Sequence, residues 1–275
     1  MLGLIVGLLG PTAAAQADTN TSINWSGYAV HRPGVKFRRV SGEWREPLGT
    51  CHAGSDTTYS AFWVGLGGYR LNSHALEQIG TEFNCTPTGH AVLSAWYELV
   101  PNPSRTIRMT VNPGDLMRAK VKVSGARVTV SLSDLTTGRS FHRTIADRYA
   151  DIRSAEWIAE APSECLSVAQ CQVLPLADFG SVGFTRVFAQ TTRYGRGGIS
   201  SDHWNHTMIV LANTNGRRYV SGSSPSATAT PGALSNGGSA FTITYAGGSS
   251  TAVTPSARTM LESARSQPRS TPLQR

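Results

Sequence analysis

The sequence predicts an all-β protein, a sandwich or barrel of short strands, and three observations carry that reading. Apolar and polar residues alternate with period two through many short segments, at roughly ten-residue spacing. Turn residues such as Pro113-Gly114-Asp115 and Ser124-Gly125 separate those segments. The composition, 15 % charged with 28 glycines and much Ser and Thr, suits an exported β-protein, and no long amphipathic helix pattern occurs.

Taken in order, residues 1–17 read as a secretory signal. An apolar run at 2–9 is broken by Pro11 and followed by the small-x-small site Ala15-Gln16-Ala17. The run is too short to span a bilayer and no other stretch matches it, so the expectation is a soluble, secreted, monomeric protein without a membrane partner. Residues 18–22 form a polar lead. Strands are predicted at 24–30, 37–44, 59–66 and 75–83, with 59–66 apolar enough to be buried on both faces. Further strands follow at 91–99, 106–111, 116–123, 127–132, 140–145, 152–160, 179–189, 206–212, 219–220 and 240–245. A helical turn is expected at 146–149. The domain is expected to span 18–245, and 246–275, rich in Ser, Gly, Thr and Pro, to be a disordered tail with a brief helix at 257–264.

Four cysteines fit an oxidising compartment. Cys165 and Cys171 lie close enough to staple a hairpin, which leaves Cys51 with Cys85; other pairings stay open. Without a C-x-x-C pair, zinc is the weaker use of these thiols. The net charge of +8 comes from scattered residues with no Lys/Arg block or aromatic-basic interleaving. It therefore reads as a surface property and not as a nucleic-acid footprint.

Chemistry concentrates in a few strands. In 155–160 (Ala-Glu-Trp-Ile-Ala-Glu), period two puts Glu156, Ile158 and Glu160 on one face and Ala155, Trp157 and Ala159 on the other. Either the first face is the floor of a cleft or it carries two solvated glutamates. Gln78 shares its strand face with Glu82, and Glu98 shares its face with Trp96. Trp25 and Trp63 lie in glycine-rich aromatic contexts. Each residue has a structural alternative: a Gln bonded to backbone, a tethered Glu, a core Trp. The spacing of His203 and His206 would suit a metal but lacks a third ligand, and His31, His52, His74, His90 and His142 read as surface residues. No G-x-S-x-G, H-E-x-x-H, Walker or dinucleotide fingerprint occurs.

Together the motifs resemble the eqolisins, the glutamic peptidases. They are the N-W-x-G opening at Asn24, Trp63-Val64-Gly65-x-x-Gly68, Leu76-x-Gln78-x-Gly80, Ala95-Trp96-Tyr97-Glu98 with Pro101, and Ala155-Glu156-Trp157-Ile158-x-Glu160 before Phe179-Gly180. The resemblance runs from about residue 24 to 245. It implies a sandwich of two long antiparallel sheets with a concave substrate cleft. It also implies a catalytic dyad at Gln78 and Glu160, cleft tryptophans at Trp25 and Trp63, an acid near the dyad at Glu98, polypeptide substrates, and neither metal nor cofactor.

Those residue types suit peptide hydrolysis, which needs an activated water and a stabilised oxyanion. A carboxylate at Glu160 serves as base and then acid, and the amide of Gln78 offers both an acceptor and donors. An ionised glutamate of ordinary pKa, about 4.3, implies an acid working range. Three positions depart from the fungal pattern: Gly67 and Ser94 stand where aspartates occur, and Leu99-Val100 replaces an aromatic pair. The basic balance suggests a bacterial-type branch. The competing readings are a carbohydrate-active sandwich using Glu98 and Glu160, and a peptide-binding relative without activity.

Overall fold

The computed structural model describes residues 18–70, 72–167, 170–212 and 227–247, with side chains at all of these except 165–167, 170 and 171. The strands expected at 219–220 and the tail with its helix lie outside them, as does the signal segment.

The strands are β1 Asp18–Ser22, β2 Trp25–His31, β3 Phe37–Arg45, β4 Thr58–Gly67, β5 Leu76–Cys85 and β6 Ala91–Val100. They continue with β7 Arg105–Ile107, β8 Leu116–Ser124, β9 Arg127–Asp134, β10 Ser140–Ala146, β11 Ser154–Glu160 and β12 Ser163–Ser167. The rest are β13 Gln170–Val173, β14 Ser181–Thr191, β15 Gly195–Gly197, β16 Asn205–Leu211, β17 Thr228–Pro231 and β18 Phe241–Ala246. Among the described residues the only helix is a single 3-10 turn at Asn236–Gly238, and no helix is long and apolar enough to cross a membrane. The helical turn expected at 146–149 is instead the end of β10 followed by bends.

The β-sandwich follows one hydrogen-bonded path, β10-β9-β8-β3-β14-β18-β17-β16-β2-β11-β4-β5-β6-β7, folded over on itself. The two expected sheets are the halves of that path: β3, β8 and β14 pack face to face on β4, β5 and β11. The link between them is thin, with Leu211 opposite Ala229 joining β16 to β17. The polar lead is an added strand, because β1 pairs in parallel with β16 from Asp18↔Thr207 to Ser22↔Leu211. Its sequence lacks a buried face, so periodicity gives no signal for it.

Period-two patterning sets the core. Trp157, Ala155 and Ala159 of β11 enter the interlayer core with Trp44, Phe62, Phe83, Met117, Leu132 and Phe184, all at or near zero exposure. Two indoles stitch the layers: Trp157 Nε1 donates to the Ser41 carbonyl at 2.9 Å, and Trp44 Nε1 to Thr81 Oγ1 at 3.1 Å. Burying these N–H groups is tolerable because each has an acceptor. β8 and β9 alternate as expected, with Val121, Val123, Val128 and Val130 inward.

Cys51 and Cys85 form a disulfide that ties the loop before β4 to the end of β5. Cys165 lies opposite Cys171 in the β12–β13 backbone register. The bridge expected there falls on side chains outside the description.

Candidate active site

A second, smaller apolar cluster lies on the outer face of the β16-β2-β11-β4-β5-β6 layer. It comprises Ala29, Ala61, Trp63, Leu76, Trp96, Ile158 and Ile209, with Trp25 and Tyr69 packed against it. The face identified in 155–160 is therefore covered by apolar side chains and is not a solvated surface. Register places its residues in rows across the strands. One row runs Glu156–Gly65–Gln78–Glu98, the next Ile158–Trp63–Gly80–Trp96, and the third Glu160–Ala61–Glu82–Ser94. Glycine at two positions in these rows has a steric reason. A Cβ on Gly65 would lie 2.9 Å from the Trp63 ring, and one on Gly80 would collide with the Phe62 carbonyl.

Gln78 is 4 % exposed. Its Nε2 donates to Glu98 Oε2 at 2.7 Å, while its Oε1 is buried with no partner among the described residues. That single bond fixes which way the amide points. Burial pushes the Glu98 carboxyl up, and the bond from Gln78 partly offsets this. Glu98 is thus committed to Gln78, which disfavours its use as the second free carboxyl of a glycosidase.

Glu160 sits at the end of β11 among donors. Trp63 Nε1 donates to Oε2 at 2.7 Å and Asn24 Nδ2 to Oε1 at 3.1 Å. Burial still dominates, pushing the carboxyl up to about 7 against the bonds from Trp63, Trp25 and Asn24; the charge of Glu98 adds to the rise. The ordinary pKa expected from the sequence is corrected on this point. Desolvation of a carboxylate outweighs the donors here. Glu98 is thereby linked to both residues, hydrogen-bonded to Gln78 and electrostatically felt by Glu160.

Trp25 and Trp63 meet edge to face, with centroids 5.0 Å apart. Trp63 is fully buried. Its indole N–H is one of the donors on Glu160. Trp25 is half-buried and keeps a partly exposed indole. Glu156 is fully buried with both oxygens unpartnered among the described residues, and burial holds its carboxyl well above the ordinary range.

Three site residues were missed by sequence reasoning. Asn24 heads the N-W-x-G motif, which was the available signal. His31 is not a free surface residue: its ring stacks on Tyr69 at 4.9 Å and meets Thr207 Oγ1 at 3.0 Å. Tyr69, from the loop after β4, packs against the apolar cluster and is anchored by that stack and by Asn20 Nδ2, which donates to its hydroxyl at 2.9 Å. No sequence period links these residues. His203 lies apart, stacked on Tyr194.

The substituted acids have structural counterparts. Gly67 has φ +85°, and a Cβ there would lie 2.6 Å from Asp151 Cβ. Asp151 brings a carboxylate to this point from the segment before β11, held by Ser73 and by Arg153 Nε at 2.9 Å. Ser94 donates to Glu82 Oε2 at 3.0 Å.

The family model described as "Peptidase A4 family" matches residues 23–231. Scytalido-glutamic peptidase, solved with a peptide-based transition state analog, is similar in structure at TM-score 0.63 and 23 % identity, covering 81 % of this chain and 98 % of that one. SCP-B, described as a member of the eqolisin family in complex with the tripeptide Ala-Ile-His, gives 0.56 and 21 % over 81 % and 98 %. Aspergilloglutamic peptidase from Aspergillus niger gives 0.51 and 26 % over 69 % and 99 %. No curated protein sequence matches the chain.

Proposed function

Because the chain belongs to the Peptidase A4 family, the eqolisins, and is a glutamic endopeptidase, we propose that Gln78 and Glu160 form its catalytic dyad. The observation that carries the reading is the Gln78 amide: its nitrogen is tied to Glu98 and its buried oxygen lacks a donor, on the sheet face that also bears Glu160.

An extended polypeptide lies along that sheet face beside Trp25. A water molecule donates one hydrogen bond to Gln78 Oε1 and one to the ionised carboxylate of Glu160. Its oxygen attacks the scissile carbonyl carbon as Glu160 takes its proton, and the carbonyl oxygen becomes the oxyanion. The second N–H of Gln78 donates to that oxyanion. Collapse re-forms the carbonyl and breaks the C–N bond, and Glu160 returns its proton to the departing amine. The products are a carboxylic acid and an amine, and Glu160 is regenerated. No step requires a metal or cofactor.

The raised pKa of Glu160 moves the working range. Only the ionised form is a base, so kcat/KM falls as pH drops through the free-enzyme pKa. With that value about 7, kcat/KM is half-maximal near neutrality and falls on the acid side, so the range lies above that of an ordinary glutamate. Secretion by way of the 1–17 segment and cleavage after Ala17 belong to the same proposal; N-terminal sequencing of protein from culture medium checks them.

The test of the dyad uses Gln78→Ala and Glu160→Gln on a denatured protein substrate between about pH 3 and 8. Loss of about 100-fold or more in kcat with an unchanged near-UV spectrum is expected for each, given the weight of a single oxyanion donor or general base. Turnover near that of the unaltered protein in either variant refutes the assignment.

A further inference from the structure

We propose that the slot between the two free ends of the sheet path, lined by Arg105, Arg108, Arg139 and Arg143, is a docking site for an acidic, extended polypeptide segment. Read along the sequence, these arginines look scattered. The fold brings the pair at β7 toward the pair at β10, because the path folds over on itself and residues of its two ends line one cleft of about 720 Å³.

Four features define the ligand. All four arginines are exposed, and none makes an ion pair among the described residues. No carboxylate lines the cleft. Edge strands commonly carry charge that discourages pairing with other chains. Either sign serves that purpose, whereas here every charge is positive and converges on one slot. Guanidinium groups pair well with carboxylates and stay charged at every working pH.

The backbone selects a polypeptide. β7 and β10 end the hydrogen-bonded path, so among the described residues each has one side without a strand partner, which an extended peptide can pair with. The aromatic groups argue against nucleic acid. Tyr97 and Phe141 stack on each other with centroids 5.7 Å apart and planes at 23°, and Arg143 lies over the Tyr97 ring at 6.0 Å. These stacked faces are already occupied and cannot serve as platforms for bases. The slot is separate from the candidate active site: Arg105 pairs with Tyr97, whose side chain belongs to the interlayer core, while that site lies on the other face of β6. The inference does not depend on the dyad, since binding is read directly.

The experiment measures fluorescence anisotropy of a labelled peptide alternating Glu and Thr, against the same peptide with Gln for Glu. It uses the full chain at about pH 6 and low salt, and mass spectrometry confirms that each peptide stays intact. The acidic peptide should bind at least about tenfold more tightly, the combined effect of several exposed ion pairs. Arg105→Ser/Arg139→Ser should remove that preference, as should Arg108→Ser/Arg143→Ser, each with an unchanged near-UV spectrum. The preference should also vanish below about pH 3, where glutamate is protonated and arginine is not. Equal affinity for the two peptides overturns the proposal. So does a preference that survives both double variants, or tighter binding of a DNA duplex through the same arginines.

Discussion

Glu46→Gln tests the electrostatics of this fold most directly. Glu46 is 1 % exposed in the core. Its Oε1 accepts from Trp44 Nε1 at 2.7 Å and Thr81 Oγ1 at 2.6 Å, and its Oε2 has no partner among the described residues. Burial outweighs those two bonds and, with the charges of Asp115 and Asp134 adding, pushes the carboxyl up to about 8. In the unfolded chain a glutamate ionises near 4.3. Between the two values the unfolded state has released a proton that the folded state keeps. This contribution to stability is therefore fully present below about pH 4 and falls as pH rises toward 8. At about 1.4 kcal/mol per tenfold change in proton affinity, the loss reaches about 4 kcal/mol at pH 8. Glutamine matches the neutral acid in shape, keeps the acceptor for Trp44 and Thr81, and does not titrate. Urea unfolding followed by tryptophan fluorescence at pH 4 and pH 8 should show the two proteins within about 1 kcal/mol at pH 4. The variant should then be the more stable by about 4 kcal/mol at pH 8. Parallel pH dependences in the two proteins would refute the reasoning. Glu77, pushed up to about 9, and Glu156 act in the same direction, so the fold should lose stability on the alkaline side.

Trp63→Phe removes the donor at 2.7 Å from Glu160, so the acid limb of the kcat/KM profile should move to higher pH, and a fixed limb counts against that bond. Glu98→Gln keeps an acceptor for Gln78 but deletes a charge that raises Glu160, so the same limb should move to lower pH; no movement means the two carboxyls are uncoupled. Cys51→Ser/Cys85→Ser opens a loop closed across 34 residues. By the chain-entropy relation it should destabilise by about 4 kcal/mol, read from thermal unfolding with and without reductant. Gly67→Asp places a side chain at φ +85° against Asp151. It should destabilise by about 2 kcal/mol or more, and a neutral effect in urea unfolding contradicts the local geometry.

The amino-acid pattern settles local features. Period two specified the strands and told their faces apart: Trp157 inward, Glu156, Ile158 and Glu160 outward, and Gln78 beside Leu76 and Gly80. A one-residue slip exchanges the faces of a strand, so this much is written in the chain. The linked motifs added the family and pointed to the dyad. Tertiary structure alone decided the environment of each side chain, because burial is set by strands far away in sequence. The same carboxyl is ordinary at an exposed strand and raised at Glu160, where Trp25, Asn24 and Trp63 surround it. Trp63 lies buried with its indole N–H on Glu160, and Asp151 packs against Gly67 of β4. The partner of β1 and the shared cleft of β7 and β10 are likewise long-range outcomes, fixed by how the sheet path folds over and invisible to any short window of sequence.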